Sequence, residues 1–337
     1  MATPPELGRA RHDQVTATIR AIIEQIQALW RGLSPSTIED DLLGEAGATI
    51  VTAVSAGQFT LADAAQAYIA AQMVAQGGSA LAQGALVAAA FTGIAPGGGP
   101  LESLLFLPAI GVRRRLAADL PPEEAMIGGL VDMAMYASTA IADSARSADQ
   151  VAMTANRSCV AYVRVVRAGA CSRCLILAGQ IYPYSEGFLR HPNCSCQTLP
   201  LREHEWPDVP TPEKLVERMT PDQMRRTFGR AGARAIAAGA DIGQVVNARR
   251  GMDTSHIYGR DLQITHEGAT RRSVYGRSRS RAGDDFARFA GQRFGEATSA
   301  RYFRSTRTPR LMPEEIFRIS DDRDEELRLL RRNGYIV

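Results

Sequence analysis

Apolar positions recur at three-to-four spacing near the start of the chain: Val15, Ile19, Ile22, Ile23, Ile26, Leu29 and Trp30 lie on one helical stripe. Gly32 and Ser34-Pro35-Ser36 end that helix and cap the next. Further helices are predicted from Thr37, from Thr60, with Asp63 placed as in a capping box, and from Pro121 onward. Ala95-Pro96-Gly97-Gly98-Gly99-Pro100 is a break between them. Residues 10 to about 155 therefore read as helix after helix, rich in alanine, forming either an ordinary helical domain or an elongated docking arm. At Cys159 the period changes. Cys159, Ala161, Val163 and Val165 alternate with Val160, Tyr162, Arg164 and Val166, a strand whose odd positions make the cleaner apolar face.

Beyond Pro200, prolines 207, 210 and 212 mark a linker, and the last third reads as helical again. Met224 to Phe228, Gly229 to Ala238 and Asp241 to Asn247 predict three short helices joined at glycines. Thr308 to Pro313 reads as a second linker, and Glu314 to Leu330 as one amphipathic helix with Ile316, Ile319, Leu327 and Leu330 as candidates for burial or partner docking. The expected fold is mainly α: helical N- and C-terminal regions around a small α+β module. The divisions are a helical region over 1–155, the module over 156–200, an arginine-rich helical region over 201–310 and a C-terminal helix over 311–337.

Composition narrows the class. With 337 residues and 45% hydrophobic content the chain can bury a substantial core. The longest apolar stretch, Leu81 to Ile94, is interrupted by Gln83, Gly84, Thr92 and Gly93, so no membrane partner is expected. The N-terminus lacks the basic start and apolar run of a secretory signal, which predicts a cytosolic, reducing environment. Five cysteines there are not a disulfide framework. Net charge is only +3, but Arg249 to Arg310 holds fourteen arginines against six acidic residues, a local +8. Lys214 is the only lysine; such a bias fits a GC-rich genome, and arginine also grips phosphate or carboxylate in a bidentate manner.

Four of the cysteines fall into Cys171-Ser172-Arg173-Cys174 and His191-Pro192-Asn193-Cys194-Ser195-Cys196, with the spacing C-x2-C-x16-H-x2-C-x-C. Two short clips joined by a loop supply the donors of a tetrahedral zinc site at little loop-closure cost. Cys171, Cys174, His191, Cys194 and Cys196 are five candidates for four places; the four cysteines are favoured, with His191 replacing one or supporting the set from behind. Gly179 and Gly187 permit turns in the intervening loop, Tyr182, Tyr184 and Phe188 are candidates to pack over the metal, and Arg173 and Arg190 to offset thiolate charge. The implied cofactor is a structural zinc ion. The alternatives are reduced cysteines in an ordinary turn and, less in keeping with the surrounding pattern, a redox-active Cys171/Cys174 pair.

The run Arg167 to Gly179 followed by His191 to Cys196 resembles the MuF head-morphogenesis domain of tailed bacteriophages, in which a Cys or His precedes a Leu-x-Gly step and a Pro-x-Cys-x-Cys element closes the motif. Cys174, Leu177, Gly179, Pro192, Cys194 and Cys196 match those positions; Cys171 and His191 go beyond the minimal pattern, as in actinobacterial-phage versions. The match covers about fifty residues, from Asn156 to Pro200. Gly239 to Met252 and Arg310 to Glu315 are similar to actinophage proteins more loosely. The resemblance implies a minor capsid protein that helps assemble the head, with the portal and other head proteins as partners, first in the host cytoplasm and then in the virion head.

Proteins of that kind are sometimes described as capsid maturation proteases. No Gly-x-Ser-x-Gly elbow and no His-Glu-x-x-His run occur, and His12, His204, His256 and His266 sit in polar, unpatterned surroundings. A cysteine protease using Cys159 needs His204 or His256 beside it, whereas a strand position suits a buried small hydrophobe. A zinc-site enzyme needs an open coordination position, and this cluster has donors enough to close the shell. A nuclease of the HNH type lacks its histidine before the first clip. A zinc-containing DNA-binding protein is the third reading: the helices before Arg249 and Arg250 loosely resemble a helix-turn-helix, and Arg271 to Arg281 suits sequence-independent contact with packaged DNA or an acidic protein surface.

Overall fold

A computed structural model describes residues 2–166, 169–188, 191–192, 194, 196–203, 211–257, 260–267 and 309–336. It is mainly helical, with two small antiparallel sheets. The chain divides into two compact units, residues 1–167 with 179–209, and residues 168–178 with 210–337.

The first unit opens with α1 (Pro4–Trp30), starting earlier than the apolar stripe because Pro4 and Pro5 open the helix and the Glu6 carboxylate accepts from the Thr3 N–H. Val15, Ile22, Ile26 and Trp30 are buried along it. Helices α2 (Ile38–Leu43), α3 (Glu45–Asp63), α4 (Ala65–Ala75), α5 (Leu101–Ala117) and α6 (Pro122–Ala155) follow. The starts near Thr37 and Pro121 agree with the sequence. The start at Thr60 does not: Thr60 lies in the last turn of α3, its hydroxyl donates back to the Ala56 carbonyl, and the next helix starts at Ala65. Gly44 begins α3.

The 34-residue α6 is the spine of this unit. It is long and apolar enough to cross a membrane by length and composition; here its Met133, Ala137, Ala140, Ile141 and Ala145 are buried in one core with Ile26, Trp30, Ile50, Val54, Leu105 and Val112. Its alanines let neighbouring helices pack close. Two cations are buried with it. Arg11 of α1 pairs with Asp149 at 2.7 Å and donates to the Leu61 carbonyl, and Arg146 pairs with Asp143 one turn away.

Beside the helices stands a sheet of β1 (Ala161–Val165), β2 (Ile181–Pro183) and β3 (Gln197–Leu201), in the order β2-β1-β3 and antiparallel throughout. Val163 of β1 faces Ile181 on one side and Leu199 on the other. The odd positions Ala161 and Val163 are buried with Leu199 and Leu201, as the alternation predicted. Hydrogen bonds from the Tyr68 hydroxyl to the Thr198 carbonyl and from the Gln76 amide to the Pro200 carbonyl fasten β3 to α4.

The second unit contains α7 (Ser172–Leu175), α8 (Pro212–Glu217), α9 (Pro221–Ala237), α10 (Ile242–Ala248), the strands β4 (Met252–Ile257), β5 (Arg260–Thr265) and β6 (Arg310–Leu311), then α11 (Pro313–Ile319) and α12 (Arg323–Arg332). Thr220 caps α9 through the Gln223 N–H, so the helix begins at Pro221, three residues before the predicted start. Gly229, at φ +73° and ψ 168°, interrupts α9 where the sequence places a turn.

Three expectations fail in this unit. The stretch after Arg250 is not helical, since β4 and β5 form a hairpin. Arg310-Leu311-Met312 is not a linker: β6 pairs with β5, Arg310 donates to the carbonyls of Glu267 and Asn333, and Met312 is fully buried. The single C-terminal helix is two, because Ser320 is extended and Asp322 caps α12 by accepting from the Glu325 N–H. Ile316 and Leu330 are buried as predicted, with Leu327 packed against them and Ile319 exposed. Most of the linker at 207–212, the basic stretch 271–281 and His204 lie outside the described residues.

Candidate metal centre

The first clip is set by a tight turn. Cys171 is extended, its carbonyl accepts from the Leu175 N–H, and Cys174 sits in the single helical turn α7 with its own carbonyl accepting from Leu177. The turn closes at Gly179, whose φ of +73° explains the glycine of the Leu-x-Gly step. Gly179 then donates to the Arg164 carbonyl while Arg164 donates to the Gln180 carbonyl, both at 2.9 Å, so the excursion from β1 returns beside the strand it left.

The second clip is held by backbone. The Cys194 N–H donates to the His191 carbonyl, closing a turn around Pro192. Arg146, 3% exposed on α6, donates through Nη1 to the carbonyls of both Cys194 and Cys196 at 3.0 and 3.2 Å. β3 begins directly after Cys196. Both cysteine side chains thus lie buried, on a segment fixed at each end.

These local turns bring the five candidates into two overlapping triads. The donor atoms of Cys174, Cys194 and Cys196 all lie within 4.8 Å of one another, as do those of Cys171, Cys174 and His191. Either triad is compact enough to hold a metal ion. Cys174 belongs to both. The first triad is buried throughout, whereas Cys171 is exposed and His191 half-buried. His191 has Nδ1 2.7 Å from the Pro192 carbonyl, to which Nδ1–H donates. Four thiolates or three thiolates with one imidazole suit zinc, for which Zn–S bonds of about 2.3 Å imply sulfurs about 3.8 Å apart in a tetrahedron. Donor atoms within 4.8 Å of one another are close enough for such a group.

The electrostatics differ from the sequence reading. Arg173 is exposed and Arg190 lies outside the described residues. Among the described residues the cation at the sulfurs is Arg164, 2% exposed, whose Nη2 lies 3.4 Å from Cys196 Sγ and 3.9 Å from Cys194 Sγ. Its guanidinium also covers the Phe188 ring at 4.3 Å. Tyr182 and Phe188 do form an aromatic group beside the cluster, joined by Tyr162, which stacks on Tyr182 at 5.4 Å; Tyr184 is exposed. Tyr162 and Arg164 occupy the even face of β1. The sequence signal was their shared phase in a strand leading straight into the cysteine motif, opposite the apolar face.

The protease elements are not assembled among the described residues. Cys159 is buried, and burial pushes its thiol up to about 11, the opposite of an activated nucleophile. Its Sγ donates to the Ala161 carbonyl. His256 is exposed on the β4–β5 hairpin and faces Asp261 at 2.8 Å. No protein-family model matches this chain, and no curated protein or solved structure matches it either.

Proposed function

We propose that this chain is a MuF-like minor capsid protein that acts in prohead assembly beside the portal and is built around a structural zinc centre. The observation that carries the reading is the meeting of Cys174, Cys194 and Cys196, the three cysteines of the motif, within 4.8 Å. Their spacing in sequence is matched by turns at Gly179 and Pro192 that a Leu-x-Gly and a Pro-x-Cys-x-Cys step require.

Cys174, Cys194 and Cys196 would hold zinc with either Cys171 or His191 as the fourth ligand. Zinc in such a closed shell supplies a cross-link and no reactive position. The protein's own residues do the rest: Arg146 fixes the second clip by its carbonyls, and Gly179 turns the chain back to β1. The module then presents a rigid surface to portal and head proteins, in the host cytoplasm and later in the virion head. Arg271 to Arg281 adds non-specific contact with packaged DNA.

Co-expression with portal, scaffold and major capsid proteins, followed by sedimentation of proheads, tests the assembly role. The chain is expected in the prohead fraction; its absence from particles sinks the proposal. Full-length capsid protein in the same experiment keeps the chain out of the maturation-protease class, and cleavage abolished by Cys159→Ala would place it there. Elemental analysis should find about one zinc per chain, lost in Cys194→Ser with Cys196→Ser. Unchanged zinc in that double variant removes the centre.

A further inference from the structure

We infer that Arg164 is the positioning residue of this metal centre, a buried guanidinium that orients the sulfurs of Cys194 and Cys196 and balances the charge they carry once ligated. The inference rests on the metal reading above and adds a residue outside the cysteine motif.

Three observations converge. The side chain reaches two sulfurs from one nitrogen, Nη2, at 3.4 and 3.9 Å, so it addresses the pair rather than a single cysteine. The guanidinium carbon lies 4.3 Å from the centre of the Phe188 ring, which holds the group in place beside the clip. The backbone of the same residue exchanges hydrogen bonds with Gly179 and Gln180, where the first clip's excursion ends. One residue therefore touches the frame of both clips.

Charge explains why a cation belongs there. Zinc with three thiolates and an imidazole carries a net −1, and with four thiolates −2. A buried net anion is costly unless paired and hydrogen-bonded. Arg164 brings the total to 0 or −1, and N–H···S bonds draw electron density from the sulfurs without competing for the metal. Lysine would supply the charge as a strongly hydrated point, costlier to bury and a poorer partner for the Phe188 ring than a guanidinium.

The test uses the full chain and cobalt(II) as the probe, because its thiolate-to-metal charge-transfer band reports the sulfurs directly. Arg164→Met keeps an apolar stem against Phe188 and removes the donors. It is expected to weaken cobalt and zinc binding by about 10- to 100-fold in chelator competition. The charge-transfer band should move to longer wavelength, since sulfur relieved of a hydrogen bond donates more readily. Arg164→Lys should recover part of the affinity with a smaller band shift, and it stands in for the methionine variant if that chain does not fold. Wild-type affinity and an unmoved band in Arg164→Met overturn the role of Arg164 and leave the metal centre intact. A wild-type chain that gives no thiolate band with cobalt overturns the centre itself.

Discussion

Removing the Asp149 carboxylate should expose how far the first unit depends on one buried charge pair. Arg11 and Asp149 have side chains 2% and 0% exposed. Arg11 Nη2 donates to Asp149 Oδ1 at 2.7 Å and to the Leu61 carbonyl at 2.8 Å, and Nε lies 3.4 Å from Oδ2. With charge centres about 4 Å apart and an effective dielectric of about 20, the gross attraction is about 4 kcal/mol. Desolvation opposes it: burial holds the Asp149 carboxyl above the usual carboxylate range, while Arg11 and then Arg146 pull it back. The pair therefore adds little net stability, yet each partner alone is costly. Asp149→Ala strands a guanidinium inside the helical layer and should cost about 3–5 kcal/mol. Arg11→Met with Asp149→Leu removes both charges and should return to within about 2 kcal/mol of wild type. Trp30 is buried in the same core, so its fluorescence during urea unfolding, in a Trp206→Phe background, reads this unit alone. A loss under about 1 kcal/mol for Asp149→Ala, or a double variant as weak as the single, would refute the reasoning.

Other outcomes are equally specific. Because the folded-state pKa of Cys159 is raised from 9.0 to about 11, the folded chain keeps a proton that the unfolded chain loses; the stability tied to this thiol is fully present below pH 9 and is lost as pH rises through about 11. Urea midpoints of wild type should fall more steeply over that window than those of Cys159→Ala, and parallel curves would contradict the assignment. Gly229→Ala should cost the second unit about 1–3 kcal/mol, because φ +73° with ψ 168° admits glycine almost alone and a Cβ there would stand 2.7 Å from Arg249 Nη2; an unchanged urea midpoint in hydrogen-exchange of α9 amides would count against this. Arg310→Met removes donors to Glu267, Asn333 and Gln244 and the cation over the Tyr335 ring, and should loosen β6 enough for its amides to exchange faster than those of the unaltered protein. Protection retained in β6 would show that Met312 and its neighbours hold the strand without it.

The elements read correctly from sequence were those whose local pattern and tertiary role agree. The stripe from Val15 to Trp30, the odd face of β1 and the interruption at Gly229 each rest on periodicity or on a backbone angle that few residues adopt. The misreadings arose where a distant partner decided the outcome. Thr60 has the residue type of a cap, but α3 had already begun at Glu45. Arg310 and Met312 flank proline and read as connector, yet pairing with β5 buries them. The hairpin from Met252 to Thr265 alternates too weakly to announce itself, with Asp253, Ser255, Asp261 and Gln263 among its residues. Within the candidate site, spacing alone singled out the five residues that meet in the two triads. It could not reveal Arg146 and Arg164, since arginines on a helix and in a strand read as solvent-facing unless the sulfurs and carbonyls that receive them are already in place.

The alternation of β1 has a bearing on how such a chain can drift. Val163 faces the apolar cluster and Arg164, its neighbour, faces the sulfurs. Inserting or deleting one residue within Ala161 to Val165 would exchange those faces, driving a guanidinium into the greasy side and a valine toward the clip. The excursion between the strands has no two-residue phase to keep; it has only to bring its clip round and return Gly179 and Gln180 to Arg164. Length variation in descendants of this sequence should therefore accumulate in the loops and leave those five residues uninterrupted, making the strand a ruler against which the rest of the module is measured.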